Sequence, residues 1–202
     1  MQTTFVNLEH CVGCHQCEFA CAVEHSLSRD PLRAPFEEPL PKPRIFVEAG
    51  RWLGSSLPNR CRHCDPAPCE GVCPTGAIAR EPQYGLVLLA AGKCINCAMC
   101  AMVCPFDVIT FQVQRNGGPS RVVATKCDGC IERRARGALP ACVETCKSGA
   151  LTFGELNELI HAQRQREPLE QEALGTVAPW RSFGQAATAV AEGVSHGYDP
   201  SR

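Results

Sequence analysis

Sixteen cysteines stand in four groups of four with none left over, and no other feature limits the fold of this chain so strongly. The first group, Cys11, Cys14, Cys17 and Cys21, is spaced C-x2-C-x2-C-x3-C. The second, Cys61, Cys64, Cys69 and Cys73, widens one gap to give C-x2-C-x4-C-x3-C and is followed by Pro74. The third, Cys94, Cys97, Cys100 and Cys104, repeats the first spacing and is followed by Pro105. The fourth, Cys127, Cys130, Cys142 and Cys146, reads C-x2-C-x11-C-x3-C.

A loop with a thiolate at every third residue can wrap three of them round one face of a cubane iron–sulfur cluster. Its backbone amides then turn toward the sulfides. The fourth cysteine lies about a helical turn further on and reaches a different cluster, as in the C-x2-C-x2-C-x3-C-P run of two-cluster bacterial ferredoxins. Proline after that cysteine turns the chain, because it has no N–H to donate. The segments Cys73–Ile78, Cys104–Ile109 and Cys146–Leu151 share one layout. Each is predicted as a short turn entering a brief strand, with an apolar residue against a cluster, so the chain contains an internal repeat of a half-ferredoxin unit.

Two other chemistries use cysteine at this density. Disulfides belong to oxidising compartments. Structural zinc favours paired CxxC units and tetrahedral closure over a third cysteine at the same short interval. Both fit the triplets less well than four 4Fe–4S clusters do. No group has lost a cysteine, so nothing points to a three-iron site.

The 202 residues suffice for one mid-sized domain or two small ones, and a net charge of −1 gives no electrostatic case for nucleic acid. Residues 1–10 show no basic start, long apolar run or small-residue cleavage site, and no twin-arginine pair precedes Cys11. No stretch approaches the roughly eighteen apolar residues of a membrane span. The expected setting is reducing cytoplasm, with no membrane span. Few aromatics, 17 glycines and 16 prolines predict many turns and a thin core. Metal ligation should then supply much of the folding free energy, leaving the chain largely unfolded without metal.

The four groups in this order resemble the iron–sulfur subunits of the dimethyl sulfoxide reductase, formate dehydrogenase and formate hydrogenlyase group. The likeness is closer still to the ferredoxin-like protein that accompanies carbon monoxide dehydrogenase. It is carried by Cys17–Ser26, Pro39–Ile45, Cys61–Cys69, Met102–Phe106 and Lys126–Arg133, within roughly residues 3–155. The resemblance implies an exchange of ligands between groups. Cys11, Cys14 and Cys17 would share a cluster with Cys146, and Cys127, Cys130 and Cys142 would share one with Cys21. Cys61, Cys64 and Cys69 would join Cys104, and Cys94, Cys97 and Cys100 would join Cys73. Ala22 and Lys147 stand where the bacterial ferredoxin pattern has proline, which changes an exit angle and no ligand.

The fold implied is α+β, with one bacterial-ferredoxin-like unit inserted in another. Residues 1–60 form the first half of the outer unit, with a long Pro-rich insertion. Residues 61–112 form the inner unit, and 113–154 complete the outer one. Residues 155–202 form a C-terminal helix and an extended partner-binding tail. Arg44–Glu48 reads as a short strand. The helix is expected over Glu155–Arg166, with Leu156, Leu159 and Ile160 on one face and Pro168 ending it. Trp180, Phe183 and Ala186–Ala191 are the tail's candidates for burial against a partner, with a disordered tail as the alternative.

Sixteen thiolates and four cores of about +2 bring the loaded chain to roughly −9. Lys93 and Lys126, each just before the first cysteine of a group, either offset that charge or are ordinary solvated lysines. His15 and His63 lie in cysteine loops. Surface histidines are the expectation, and donation to a cluster sulfur is the alternative. Arg133–Arg136 is expected as a solvated basic loop, with docking to an acidic surface as the alternative.

No dinucleotide fingerprint, Walker loop or HExxH motif occurs, and no catalytic residue is assigned. Every group is fully cysteinyl, which leaves no open iron. The chain is expected to be an electron wire with no chemistry of its own. It would link a catalytic oxidoreductase subunit to a flavin subunit or second electron carrier. That catalytic subunit would resemble carbon monoxide dehydrogenase or a molybdenum or tungsten enzyme, and self-association is also open. A freely diffusing polyferredoxin, a redox sensor and a substrate-reducing enzyme are the competing readings.

Overall fold

The computed structural model describes residues 2–50, 55–114 and 120–173, with side chains through residue 165. The chain divides into a unit spanning Met1–Leu156 and a second from Asn157 onward. The first unit mixes short helices with four two-stranded antiparallel ribbons. β1 (Gln2–Val6) pairs with β8 (Leu151–Glu155), Val6 lying opposite Leu151. β2 (Ile45–Ala49) pairs with β3 (Ser56–Arg60), and β4 (Ile78–Arg80) with β5 (Val87–Leu89). β6 (Thr110–Gln114) pairs with β7 (Arg121–Thr125). Brief strands do begin at Ile78, Thr110 and Leu151, each shortly after a cysteine group ends.

The helices carry the cysteines. α1 (Gln16–Glu24) holds Cys17 and Cys21, and α2 (Pro68–Gly71) holds Cys69 with Cys73 just beyond. α3 (Met99–Met102) holds Cys100, α4 (Ile131–Ala135) follows Cys130, and α5 (Ala141–Glu144) holds Cys142. α1 packs on α5, and α2 on α3.

Two apolar cores result, each built round thiols. Cys17, Cys21, Ile45, Cys142, Val143 and Leu151 form one, with Val6 and Phe153 against it. Ala67, Ile78, Val87, Cys100, Ile109 and Ala124 form the other, with Leu89 and Phe111 packed alongside. The largest fully buried side chains are Ile45, Val87, Val108, Val123 and Pro58, none of them aromatic.

The second unit contains α6 (Leu156–Ala173). Pro168 does not end it, contrary to expectation. A proline removes one intrahelical hydrogen bond and can kink a helix without stopping it, and Leu169, Glu170, Gln171, Glu172 and Ala173 are good helix formers. Trp180, Phe183 and Ala186–Ala191 lie outside the described residues. No described helix is long and apolar enough to cross a membrane.

Candidate metal centres

The cysteine loops share one backbone device. The residue just before the second cysteine of each group is left-handed: Gly13 (φ 66), His63 (φ 51), Asn96 (φ 59) and Gly129 (φ 65). Another left-handed residue comes at or just after that second cysteine in three groups: His15, Ala98 and Cys130 itself. Left-handed residues set into a turn aim successive N–H groups at one point, a nest for anionic atoms. Gly129 is needed there twice over. Beyond its positive φ, an added Cβ would come 2.8 Å from Leu86 Cδ2.

Backbone N–H groups also point at the sulfurs. Arg44 N–H donates to Cys21 Sγ at 3.2 Å, Ala77 to Cys73 at 3.3 Å and Leu151 to Cys146 at 3.3 Å. His63 donates to Cys61 at 3.4 Å, Gly129 to Cys127 at 3.4 Å and Ala124 to Cys94 at 3.5 Å.

All sixteen thiols are free, so disulfides play no part. Cys61, Cys64, Cys69 and Cys104 line one cavity with Pro105 and Ile109. Cys73, Cys94, Cys97 and Cys100 line another with Ile78 and Phe111. In the outer groups, Cys17 lies close enough to Cys14 and Cys146 to feel their charge, and Cys21 likewise feels Cys127, Cys142 and Cys130. Cys11 sits in the same loop as Cys14, its N–H bonded to Leu8 O at 3.1 Å. Cys17 and Cys21 stand four residues apart on α1, a rise of about 6 Å. Cys142, on α5, and Cys146, just beyond it, are spaced in the same way. Cys69 on α2 with Cys73 just beyond, and Cys100 on α3 with Cys104 just beyond, repeat this spacing.

Crowding is visible in the acidities. Burial pushes the Cys17 thiol up to about 11, with the Glu18 carboxylate and the thiols of Cys14 and Cys146 adding to the rise. Burial takes Cys130 to about 12, with Asp128, Cys127 and Glu24 adding. Cys21 and Cys142 are raised well above the usual thiol range by burial and by the other thiols of their set. At Cys73, burial is outweighed by hydrogen bonds from the Thr75 hydroxyl and the amides of Ile78, Thr75 and Ala77, which hold the thiol low. Such packed, reluctant thiols become ligands when a metal supplies the positive charge that deprotonates them.

His63 overturns the expectation of a surface histidine. It is 7% exposed, and burial together with Lys126 and Arg60 pushes its pKa down to about 3. Its Nδ1 accepts the Val87 N–H at 3.1 Å, while buried Nε2 finds no partner in the protein. The reason is β5, whose free edge closes over the loop. Lys126 is likewise buried at 4% exposure, whereas Lys93 is exposed. Lys126 Nζ donates to Val87 O and to Cys127 O at 3.2 Å, and lies 3.6 Å from Cys61 Sγ. His15 does lie at the surface, bonded to Glu18 at 2.9 Å.

Arg133–Arg136 is no solvated loop. Arg133, on α4, bonds Glu24 at 3.0 Å and also reaches Glu144, and the Arg134 guanidinium stacks over the Tyr84 and Phe153 rings. Of its three arginines, only Arg136 stays exposed. Asp128 gathers His25 at 3.2 Å and Arg44 at 2.6 Å. Burial would raise its carboxyl, but the His25 hydrogen bond and the charges of His25 and Arg44 prevail and hold it well below the usual carboxylate range. Charge pairing across sequence-distant segments leaves no mark in sequence. The left-handed positions do, since Gly13, Asn96 and Gly129 are residue types that tolerate φ > 0.

Two sets of four thiols round small cavities, with left-handed loop residues and N–H groups aimed at sulfur in the outer groups as well, fit 4Fe–4S clusters.

Comparison with known proteins gives the same class. The 4Fe-4S dicluster domain family model matches residues 54–156. An iron-sulfur protein of Rhodospirillum rubrum is 38% identical over 173 residues, covering 82% of this chain and 88% of that protein. Electron transport protein HydN of Escherichia coli is 36% identical over 167 residues, covering 77% of this chain and 90% of its own. Thiosulfate reductase electron transfer subunit PhsB of Salmonella typhi is 34% identical over 157 residues, covering 74% of this chain and 73% of its own. The chain belongs to the 4Fe–4S dicluster domain family. It is an electron carrier and not a catalyst, and its cofactors are four 4Fe–4S clusters.

Proposed function

We propose that this chain is the relay subunit of a cytoplasmic redox enzyme. It passes single electrons through four clusters between a catalytic oxidoreductase subunit and a flavin subunit or second carrier. Its ligand sets are Cys11, Cys14, Cys17 and Cys146; Cys21, Cys127, Cys130 and Cys142; Cys61, Cys64, Cys69 and Cys104; and Cys73, Cys94, Cys97 and Cys100. The shared cavities and mutual charge effects described above support this grouping. The pairing of β1 with β8 supports an outer unit of residues 1–60 and 113–154 that encloses an inner one of 61–112.

One observation carries the relay reading. Of sixteen cysteines only Cys14 and Cys97 are exposed, and they fall in different sets. Electron transfer weakens steeply with distance, so a wire needs a ligand near the surface at each end and buried ligands between. Val12, 72% exposed beside Cys14, and Ile95, 63% exposed beside Cys97, give both ends an apolar rim for a docking protein. The relative named as a thiosulfate reductase electron transfer subunit supports a reductase-type catalytic partner. The resemblance to the protein that accompanies carbon monoxide dehydrogenase supports a partner of that type or a molybdenum or tungsten enzyme.

The test is anaerobic purification from the native host followed by native mass spectrometry. The expected result is a chain heavier by four clusters and bound to a cofactor-bearing subunit. A lone chain with four clusters would replace this reading with a diffusible polyferredoxin.

A further inference from the structure

We propose that the site formed by Cys61, Cys64, Cys69 and Cys104 holds the cluster of highest reduction potential in the chain, and that the Lys126 ammonium makes it so. The inference rests on the ligand grouping given under Proposed function and ranks its members.

Lys126 is only 4% exposed, and its partners are two carbonyls and the Cys61 thiol, with no carboxylate among them. A buried cation without a counter-ion is costly. Of the ligand thiols, which become anionic on metal binding, Cys61 lies 3.6 Å from Nζ, and Cys69 of the same set also feels the Lys126 charge. The charge balance at Lys126 is therefore completed by this ligand set, and a fixed cation in a dry interior favours whichever redox state carries more negative charge. Cluster potentials follow net charge, hydrogen bonds to sulfur and solvent exposure. The step concerned is addition of one electron from an external donor, and no bond forms or breaks at Lys126.

The surroundings of the four sites differ in the same sense. Beside Cys61, Arg60 is 4% exposed and donates to Cys61 O at 3.1 Å, and Arg62 stacks over Phe106. The first set instead faces the Glu18 carboxylate, whose Oε1 accepts the Val47 N–H. The set containing Cys130 faces Asp128 and Glu24, both already paired with cations, and its Cys142 also feels the Arg60 charge, so Lys126 and not Arg60 is what distinguishes the Cys61 site. The cavity of Cys73, Cys94, Cys97 and Cys100 is lined by thiols, apolar residues and Thr75, with no charged side chain.

A second device acts on the same site. His63 lines its cavity, and with Nδ1 accepting from Val87 the ring hydrogen lies on Nε2, which has no acceptor in the protein. A sulfur of the bound cluster would supply one. Val87 fixes both residues at once, its N–H holding His63 and its C=O holding Lys126 at the free edge of β5. Lys126 is thus a positioning and tuning residue that acts on the cluster through charge.

The experiment is an anaerobic dithionite titration of the intact four-cluster chain, followed by electron paramagnetic resonance, for wild type, K126Q, K126R and C64S. We expect C64S to alter or remove the signal that appears first on reduction. K126Q should lower that midpoint further than the other three, and K126R should stay nearer to wild type than K126Q does. The proposal is overturned if C64S leaves the first signal intact, if K126Q moves all four midpoints alike, or if K126R behaves as K126Q. Should K126Q fail to assemble, the C64S spectrum of the otherwise native chain still decides. Iron content separates the two readings: iron short of four clusters in wild type sinks the ligand grouping. Four clusters with a different one reduced first sinks only the ranking.

Discussion

His15 and His63 both sit in cysteine loops with left-handed backbone, at φ 56 and φ 51, yet their surroundings have little in common. The His15 side chain is 59% exposed and reaches Glu18 on the next turn. His63 is 7% exposed and locked to Val87 of a strand that follows later in sequence. The lysines divide in the same way, since Lys93 is solvated while Lys126 is buried against Cys61. The conformation of a cysteine loop is local, set by ligand spacing and by residues that accept positive φ. The chemical setting of that loop is not local. It depends on which distant strand meets it, and only for His63 does Val87 of β5 bond the ring.

The largest expected effect would erase the contrast altogether. Chelating the iron should unfold both regions, because neither core has enough apolar burial to stand alone, and circular dichroism should lose its cooperative melt. A melt that survives chelation would show that side-chain packing suffices. The next effect sharpens the contrast. H63A should lower stability by about 2 kcal/mol, since it strands the buried Val87 N–H, while H15A should change it by less than about 0.5 kcal/mol. Both substitutions place alanine at a similar positive φ, so backbone strain cancels. Anaerobic urea unfolding of the two variants measures the difference, and equal losses would break the comparison.

His63 also predicts a pH dependence. Its folded pKa is depressed, from 6.5 to about 3. The unfolded state therefore binds the proton more readily, and stability falls as pH drops below about 6.5. The slope approaches 1.4 kcal/mol per pH unit at most. The H63N variant should lose this slope between pH 6.5 and pH 4, and unfolding midpoints across that range would show it. The smallest effect lies in α4. R133A breaks contacts to Glu24 and Glu144 and should cost about 1 kcal/mol, since one of its two partners is largely solvated. R136A, at an exposed position, should cost nothing measurable in the same urea assay.

Much of this was legible in sequence because cysteine spacing is itself a geometric statement. The four groups, the brief strands entered at Ile78 and Leu151, and β2 over Ile45–Ala49 all follow from local pattern. The left-handed positions went unread, although Gly13, Asn96 and Gly129 are residue types that tolerate them, and His63 at the matching place gives no such hint. Arg133 and Arg134 read as a solvated basic stretch because the carboxylates and rings that engage them come from Glu24, Glu144, Tyr84 and Phe153, which no local window joins. Pro168 read as a stop, yet the strong helix formers after it carry α6 on to Ala173.

The sequence by itself determined the number and kind of the clusters, because sixteen thiols at these intervals leave few alternatives and bond geometry does the rest. Tertiary structure decided the electrostatics of each centre: the buried Lys126 cation, the orphaned His63 N–H, and the acids about Cys130. The reason is physical. Ligation depends on which atoms a short loop can present, and a few residues specify that. Potential depends on the charges and dipoles within several ångströms from every direction, and only the folded chain brings those together.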